Sequence, residues 1–140
     1  MERILKEVII LEIDNLDNEF LYINSLSRGV GNNDLGLDRG QLGNSRIVYF
    51  TKRGNKILLI QPNLRYISNS SNELENKAVE EAFARSVLFG FEIVEKSTDS
   101  YKIDLTPFLL NDAHGVSQRL RFSNSGSYSL NKSMSAVDLE

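Results

Sequence analysis

The sequence has no cysteine, no tryptophan, two prolines and one histidine among its 140 residues. Without thiols the chain can form neither disulfides nor thiolate metal sites. A lone histidine does not make a zinc site without other strong nitrogen or sulfur ligands. The net charge of −3 offers no basic face to nucleic acid. No apolar stretch approaches the ~20 residues that cross a bilayer. We therefore expect neither nucleic acid nor a membrane as a partner.

The N-terminal stretch M-E-R-I-L-K-E-V-I-I-L-E-I does not have the pattern of a signal peptide. Lys6, Glu7 and Glu12 interrupt its apolar run, and no small-residue cleavage site follows. The composition leaves the cellular compartment of this chain open. The length fits a single domain over residues 1–140. We expect that domain to be a fragment or N-terminal module of a larger protein.

The distribution of apolar residues predicts several β-hairpins. Residues 7–27 are predicted as the first, and the runs Arg46–Lys52 and Lys56–Gln61 as the second. Both runs of the second hairpin are almost continuously apolar, which predicts burial on both faces. Further strands are predicted at Val87–Val94, at Tyr101–Leu105 and around Ser135–Leu139. Gly90 is predicted to mark a bulge in the first of these strands.

Helical spacing predicts one main amphipathic helix from residue 73 to about 86, capped by Asn72. Its apolar face is expected to pack on the sheet and comprises Leu74, Ala78, Val79, Ala82 and Phe83. Thr106-Pro107 is typical of a short helix start. Asp112 is predicted to cap a further short helix. The fold class predicted from these patterns is α+β, with antiparallel hairpins, one main amphipathic helix and one or two short helices.

Five of the nine glycines lie in one segment, the glycine-rich loop, and they are Gly29, Gly31, Gly36, Gly40 and Gly43. Such a concentration predicts a shaped, turning loop. It lacks the third glycine and the following helix that a dinucleotide site requires. Two interpretations remain open: a packed connection between hairpins, and a contact with a partner or substrate.

Three charged residues in this loop are candidates for binding: Asp34, Asp38 and Arg39. Together with Gly29 and Gly31 they form the first group of candidate binding residues. The adjacent Asp38 and Arg39 could ion-pair with a ligand. Alternatively, the Asp38 carboxylate could accept hydrogen bonds from backbone N–H groups and fix the turn.

Asp112 and His114 form the second group of candidate binding residues, in the run D-A-H-G. As a general base His114 would need a nucleophile that the sequence does not place. The alternative is a structural pair, with Asp112 as a helix cap and His114 as a hydrogen-bonded side chain. No complete catalytic site and no metal site is visible, so we expect no cofactor in this chain.

Five long segments of the sequence resemble one bacterial family. They are F-L-Y-I-N-S-L-S-R-G-V-G-N-N-D-L-G-L-D-R-G-Q-L-G, R-I-V-Y-F-T-K-R-G-N-K-I-L-L-I-Q-P-N-L-R-Y, E-E-A-F-A-R-S-V-L-F-G-F, D-L-T-P-F-L-L-N-D-A-H-G-V and S-Y-S-L-N-K-S-M-S-A-V. They resemble, in order and over residues 10–139, a domain of unknown function. That domain precedes the catalytic domain of large bacterial zinc-dependent, metzincin-like metalloproteases. Met134 stands where the family has an arginine.

The resemblance implies a non-catalytic module that packs beside the catalytic domain of the longer protein and helps to shape the substrate cleft. Zinc, an H-E-x-x-H helix and peptide hydrolysis would belong to that catalytic domain. The longer protein would be exported, to the periplasm or beyond. The implied partners are the catalytic domain and a peptide substrate. The alternatives are a free-standing module that binds protein or carbohydrate, and a small enzyme that uses Asp112 and His114.

Overall fold

The computed structural model describes residues 8–26, 28, 35–63, 71–82 and 85–137, with the side chains of Glu80 and Ala82 left aside. The chain divides into two compact units. The first unit comprises Met1–Ile10, Ile23–Ser45 and Asp104–Glu140, and the second comprises Leu11–Tyr22 and Arg46–Ile103. No helix in the described part of the chain is long and apolar enough to cross a membrane.

A six-stranded sheet dominates the second unit. Its strands are β1 (Ile10–Ile13), β2 (Phe20–Tyr22), β3 (Arg46–Arg53), β4 (Lys56–Gln61), β5 (Ser86–Lys96) and β6 (Tyr101–Asp104). Their order in the sheet is β1-β6-β5-β4-β3-β2, and the pairs from β2 through β6 are antiparallel. Only the strand ends Ile10 and Asp104 fall in the first unit.

The hairpin of β3 and β4 confirms the clearest sequence prediction. Arg53 pairs with Lys56 across the two-residue turn Gly54-Asn55. Successive residues of a strand point to opposite faces, and the neighbours Leu59 and Ile60 are both buried. Strand β4 is therefore covered on both faces, as its continuous apolar run predicts.

The predicted hairpin over residues 7–27 is wrong, because β1 and β2 lie at opposite edges of the sheet. Strand β2 pairs with β3, in the register Phe20 with Val48. The residues between β1 and β2, Asp14–Glu19, do not close a hairpin. Instead, the N–H of Asp17, at a φ of 61°, donates to the carbonyl of Phe50 in β3 at 2.7 Å. The connector is thereby tied to β3 rather than folding β2 back onto β1.

Strand β5 carries two irregularities, and neither is at the predicted position, Gly90. Gly90 pairs regularly with Leu58. The first irregularity is a shift in register between Leu59 and Ile60 of β4, which leaves Leu88 as an extra residue in β5. A second shift against β6 leaves Val94 as an extra residue. Bulges bend a strand and increase its twist, so β5 is the strand at which the sheet bends.

The core of the second unit is built on the sheet. Its most deeply buried side chains are Val48, Thr51, Ile57, Phe91 and Ile103. Phe91 is 1% exposed, and its ring lies 4.9 Å from that of Phe89 and 6.0 Å from that of Phe50 between centroids. These separations fall in the range in which aromatic pairs add to the free energy of simple burial.

Helix α1 (Glu73–Ala82) differs from the predicted main amphipathic helix. Asn72 caps it as predicted, because its Oδ1 accepts the N–H of Leu74 at 3.0 Å. However, Ser86 already begins β5, so the helix cannot continue to about residue 86. Leu74, which was expected to face the core, is 77% exposed. Local effects support this helix, including the pair Lys77–Glu81 at 3.9 Å.

The first unit contains α2 (Thr106–Leu109), α3 (Val116–Phe122) and a 3-10 helix, Lys132–Met134. The two short helices confirm the prediction, but Thr106 begins α2 and does not cap it, because Leu105 is at the N-cap position. In α3 the N-cap position is Gly115, and Asp112 accepts the first N–H groups of the helix from three residues before that position. The predicted final strand is wrong over residues 135–137, which form no strand, and residues 138–140 lie outside the described residues. There Ser135 closes the 3-10 turn by donating its N–H to the carbonyl of Lys132. The α+β class holds in its broad form.

We expect Phe91→Ala to lower the free energy of unfolding by about 3–5 kcal/mol, because it removes a buried ring and leaves a cavity. Val87→Ala is the matched control, since Val87 lies in the same strand and is 58% exposed. We expect the control to cost less than about 1 kcal/mol. Urea unfolding of both variants measures the difference, and equal losses would contradict this account of the core.

Candidate functional site

The candidate site lies in the first unit and combines the glycine-rich loop with the segment that carries Asp112 and His114. Of the first group of candidates, Gly29, Gly31 and Asp34 lie outside the described residues. Asp38 and Arg39 are described, and both are exposed. The geometry of the site therefore rests on residues 23–26 and 35–45 of the loop and on residues 104–137.

Backbone hydrogen bonds close the base of the glycine-rich loop. Ser25 and Leu42 form an antiparallel bridge. On either side of it, the N–H of Leu26 donates to the carbonyl of Gln41 at 3.0 Å, and the N–H of Gly43 donates to that of Asn24 at 2.7 Å. Within the loop Leu35 and Leu37 are buried. The loop is thus closed at its base and contains buried apolar side chains of its own, as in an Ω-loop.

Asp38 and Arg39 lie at the start of a tight turn, Asp38–Gln41. The N–H of Gln41 donates to the Asp38 carbonyl at 3.2 Å, and the Asp38 N–H donates to Gln41 Oε1 at 3.1 Å. Gly40, at the third position, has a φ of 80°, which a type II turn requires. The N–H of Gly40 also donates to the carbonyl of Leu26 at 2.7 Å, and both charged side chains are exposed.

Asn24 joins the loop to His114, a contact that the sequence analysis missed. Its Nδ2 lies 3.1 Å from His114 Nε2 and 3.5 Å from the carbonyl of Ala113. An amide nitrogen only donates, so Nε2 of His114 is the acceptor in this contact. Asn24 and His114 are separated by 90 positions, and no local pattern signals such a pair.

The side-chain amide of Asn24 lies close to the backbone of Gly43, across the base of the loop. A Cβ atom at this position would overlap the Asn24 side chain, with Nδ2 only 2.7 Å away. The requirement for glycine therefore comes from close approach. Asn24 therefore serves both places: its backbone carbonyl accepts the Gly43 N–H at the loop base, and its side-chain amide contacts the ring of His114.

Asp112 holds the start of α3. Its Oδ1 accepts the N–H of Val116 at 2.8 Å and its Oδ2 accepts the N–H of Ser117 at 2.9 Å. Partial burial, the largest single influence, disfavours the charged carboxylate, but these backbone hydrogen bonds together outweigh it and lower the pKa of Asp112. Both oxygens are engaged by the helix, so Asp112 is not directed at His114 as a catalytic partner.

Helix α3 is also tied to the loop through Arg119. Its Nη1 donates to the carbonyl of Leu35 at 3.2 Å. Asp112 holds the start of α3, and Arg119 on the same helix contacts the loop at Leu35. Of the described candidates, Asp112 and His114 make side-chain contacts that connect these segments, whereas Asp38 and Arg39 are exposed.

A cavity of about 410 Å³ opens in the same unit, and sequence analysis did not identify it. Its lining comprises Val8, Asp104, Thr106, Pro107, Leu110, Lys132 and Ser133. His114 and the turn at Asp38 are not part of this lining. The described residues include no group of three or more histidines and carboxylates that could hold a metal ion. The chemistry available in this cavity is hydrogen bonding and charge pairing.

We expect Asp112→Ala to lower the free energy of unfolding at neutral pH by about 1–2 kcal/mol, because α3 loses its cap. The pKa of Asp112 is lower in the folded state than its ordinary value of 3.8. The stabilisation is therefore complete above the unfolded-state pKa and is lost as pH falls through the folded-state pKa. Urea unfolding from neutral pH to below the folded-state pKa should show the two curves converging at the acid end. Asp99→Ala, at an exposed turn, is the control; a gap that widens in acid would refute the assignment.

We expect Gly43→Ala to destabilise the chain by about 1–3 kcal/mol, because the new methyl group overlaps the Asn24 amide. In an Asn24→Ala background the same substitution should cost less, since the obstructing amide is gone. A double-mutant cycle measured by urea unfolding gives the coupling between the two positions. Additive costs would show that Gly43 is needed for some other reason.

Residues 40–139 match a protein family described as a domain of unknown function, DUF5117. The match begins within the glycine-rich loop and includes Gly43, Asp112, His114 and every residue of the cavity lining except Val8. The family description carries no activity. No curated protein and no solved structure gives a significant match to the chain. The match covers well over half of the chain, which therefore belongs to the DUF5117 family.

Proposed function

We propose that this chain is a non-catalytic module of a bacterial zinc metallopeptidase, N-terminal to the catalytic domain and packed beside it. In this proposal zinc and peptide hydrolysis belong to the catalytic domain, and the longer protein is exported. The first support is the resemblance of the chain to the domain that precedes such peptidases. It extends through Phe20–Gly43, Arg46–Tyr66, Glu80–Phe91, Asp104–Val116 and Ser127–Val137.

The observation that carries the proposal is the low burial of the segment from Leu105 to Val137. Every residue of this segment is described, and none of them is buried. Helices α2 and α3 and the 3-10 helix contain no buried residue. Large apolar side chains are instead exposed along the segment: Leu109, Phe122, Tyr128, Leu130 and Met134.

Ordering a segment costs conformational entropy, about 1–2 kcal/mol for each backbone residue. Burial of apolar surface is the main favourable contribution that offsets this cost. The segment has ordered helices but contributes no buried side chain of its own. A neighbouring domain that covers Phe122 and Met134 would supply the missing burial, and in this proposal that neighbour is the catalytic domain.

The described candidate residues fit a supporting role in this proposal. Asp112 and His114 are engaged in holding α3 and the glycine-rich loop. Asp38 and Arg39 remain exposed at the tip of their turn. A hydrogen-bonded turn that presents two opposite charges is suited to line one side of a cleft for peptides. In this proposal the turn faces the substrate side and the segment from Leu105 to Val137 faces the catalytic domain.

The proposal is tested by the affinity of this chain for the separately produced catalytic domain that follows it. We expect binding, weakened more than about tenfold by Phe122→Ser or Met134→Ser if these exposed side chains anchor the interface. Phe122 and Met134 are 78% and 85% exposed, so their replacement should leave the isolated chain folded. Calorimetric titration measures the affinity, and circular dichroism checks the fold.

Val94→Ser is the matched control, because Val94 is an exposed apolar residue of the second unit, at 59%. It should leave the affinity unchanged. Absence of binding, or equal loss in all three variants, would contradict the proposal. A free-standing module for protein or carbohydrate would then be the better description.

A further inference from the structure

The cavity of the first unit brings together two opposite charges that do not neutralise each other. Asp104 and Lys132 both line it. Among the ion pairs between described residues, none joins these two side chains. A carboxylate and an ammonium on one cavity wall that are not in contact leave room for a ligand carrying both signs of charge.

Asp104 and Thr106 form the ordered end of this cavity. Asp104 Oδ1 accepts the N–H of Thr106 at 2.9 Å, and Thr106 Oγ1 accepts the N–H of Ile9 at 2.9 Å. These bonds fix both side chains while leaving two groups unused within the described part of the chain. They are Oδ2 of Asp104, an acceptor, and the hydroxyl proton of Thr106, a donor.

The 3-10 helix contributes Lys132 and Ser133 to the lining. Ser133 Oγ donates to Asn131 Oδ1 at 2.7 Å, so its proton is engaged and its lone pairs can still accept. Lys132 adds three N–H donors and a positive charge. Between the polar groups lie Val8, Pro107 and Leu110, which give the cavity an apolar wall.

We propose that this cavity binds a free amino acid with an apolar side chain. Its ammonium group pairs with Asp104 Oδ2, and its carboxylate accepts from Lys132 and from the hydroxyl of Thr106. Its side chain packs on the wall formed by Val8, Pro107 and Leu110. This site is separate from the proposed docking of a peptidase domain and does not depend on it.

The charges of the cavity favour a zwitterionic ligand. Its volume of about 410 Å³ lies within the ~300–1,000 Å³ typical of ligand pockets, so a free amino acid fits inside it. A purely anionic ligand would meet the Asp104 carboxylate, and a purely cationic one would meet Lys132. Only a ligand with both charges pairs with both groups. Asp104 is half-buried, and a partly buried charge left unpaired opposes binding.

Isothermal titration of the whole 140-residue chain with L-leucine tests the proposal. We expect binding, and we expect N-acetyl-L-leucine and L-leucinamide each to bind at least about tenfold more weakly. The first analogue lacks the ammonium group and the second lacks the carboxylate. No heat of binding with L-leucine, or equal affinity for all three compounds, would overturn the proposal.

Two variants connect the affinity to named side chains. Asp104→Asn keeps an acceptor for the Thr106 N–H but removes the charge, and Lys132→Gln removes the cation. We expect each to weaken L-leucine binding at least about tenfold. Asp99→Asn and Lys96→Gln are exposed controls in the second unit and should leave it unchanged.

The pattern of discrimination separates a specific site from general charge effects. In Asp104→Asn the preference for L-leucine over N-acetyl-L-leucine should disappear, while the preference over L-leucinamide should persist. Lys132→Gln should show the reverse pattern. If either variant keeps both preferences intact, the assignment of the two charged ends is wrong. Circular dichroism of the variants distinguishes lost binding from lost folding.

Discussion

The sheet of the second unit depends on one geometric constraint, the short connector between its two edge strands. A flat six-stranded sheet would separate β1 and β2 by five strand spacings, about 24 Å. The chain from Ile13 to Phe20 reaches about that far only when fully extended. It is not extended, because Asp17 turns at a φ of 61° and binds Phe50. The sheet must therefore curl, and the two bulges in β5 provide the bending.

The same constraint explains which parts of the fold were predictable. The β3–β4 hairpin depends on neighbouring residues, so the runs around Gly54-Asn55 indicated it correctly. The pairing of β2 with β3 depends on Val48, far along the chain, and a turn cluster near Asp17 gave the wrong partner. Periodicity located α1, but it reports only that apolar residues share a face. Leu74 shows that such a face need not be packed.

In the candidate site, predictability follows the distance along the chain in the same way. Asp112 caps a helix four and five residues ahead, a spacing that sequence can show. The pairing of Asn24 with His114 spans 90 positions and the cavity joins Val8 to Ser133, so neither leaves a local pattern. Glycine content indicated a turning loop, but only the structure separates Gly40, required by its φ, from Gly43, required by close approach.

The polar side chains of the first unit differ in how far their hydrogen-bonding groups are satisfied within the unit. Asp112 and Asn24, although they carry strong acceptors and donors, are consumed in holding α3 and the loop. Asp104 uses one carboxylate oxygen to accept the N–H of Thr106, and its other oxygen has no partner among the described residues. A half-buried charge in that state is unfavourable unless a ligand or water pairs with it. The described turn at Asp38 presents its charges to solvent, whereas Asp104 keeps one carboxylate oxygen that is not engaged by a described residue.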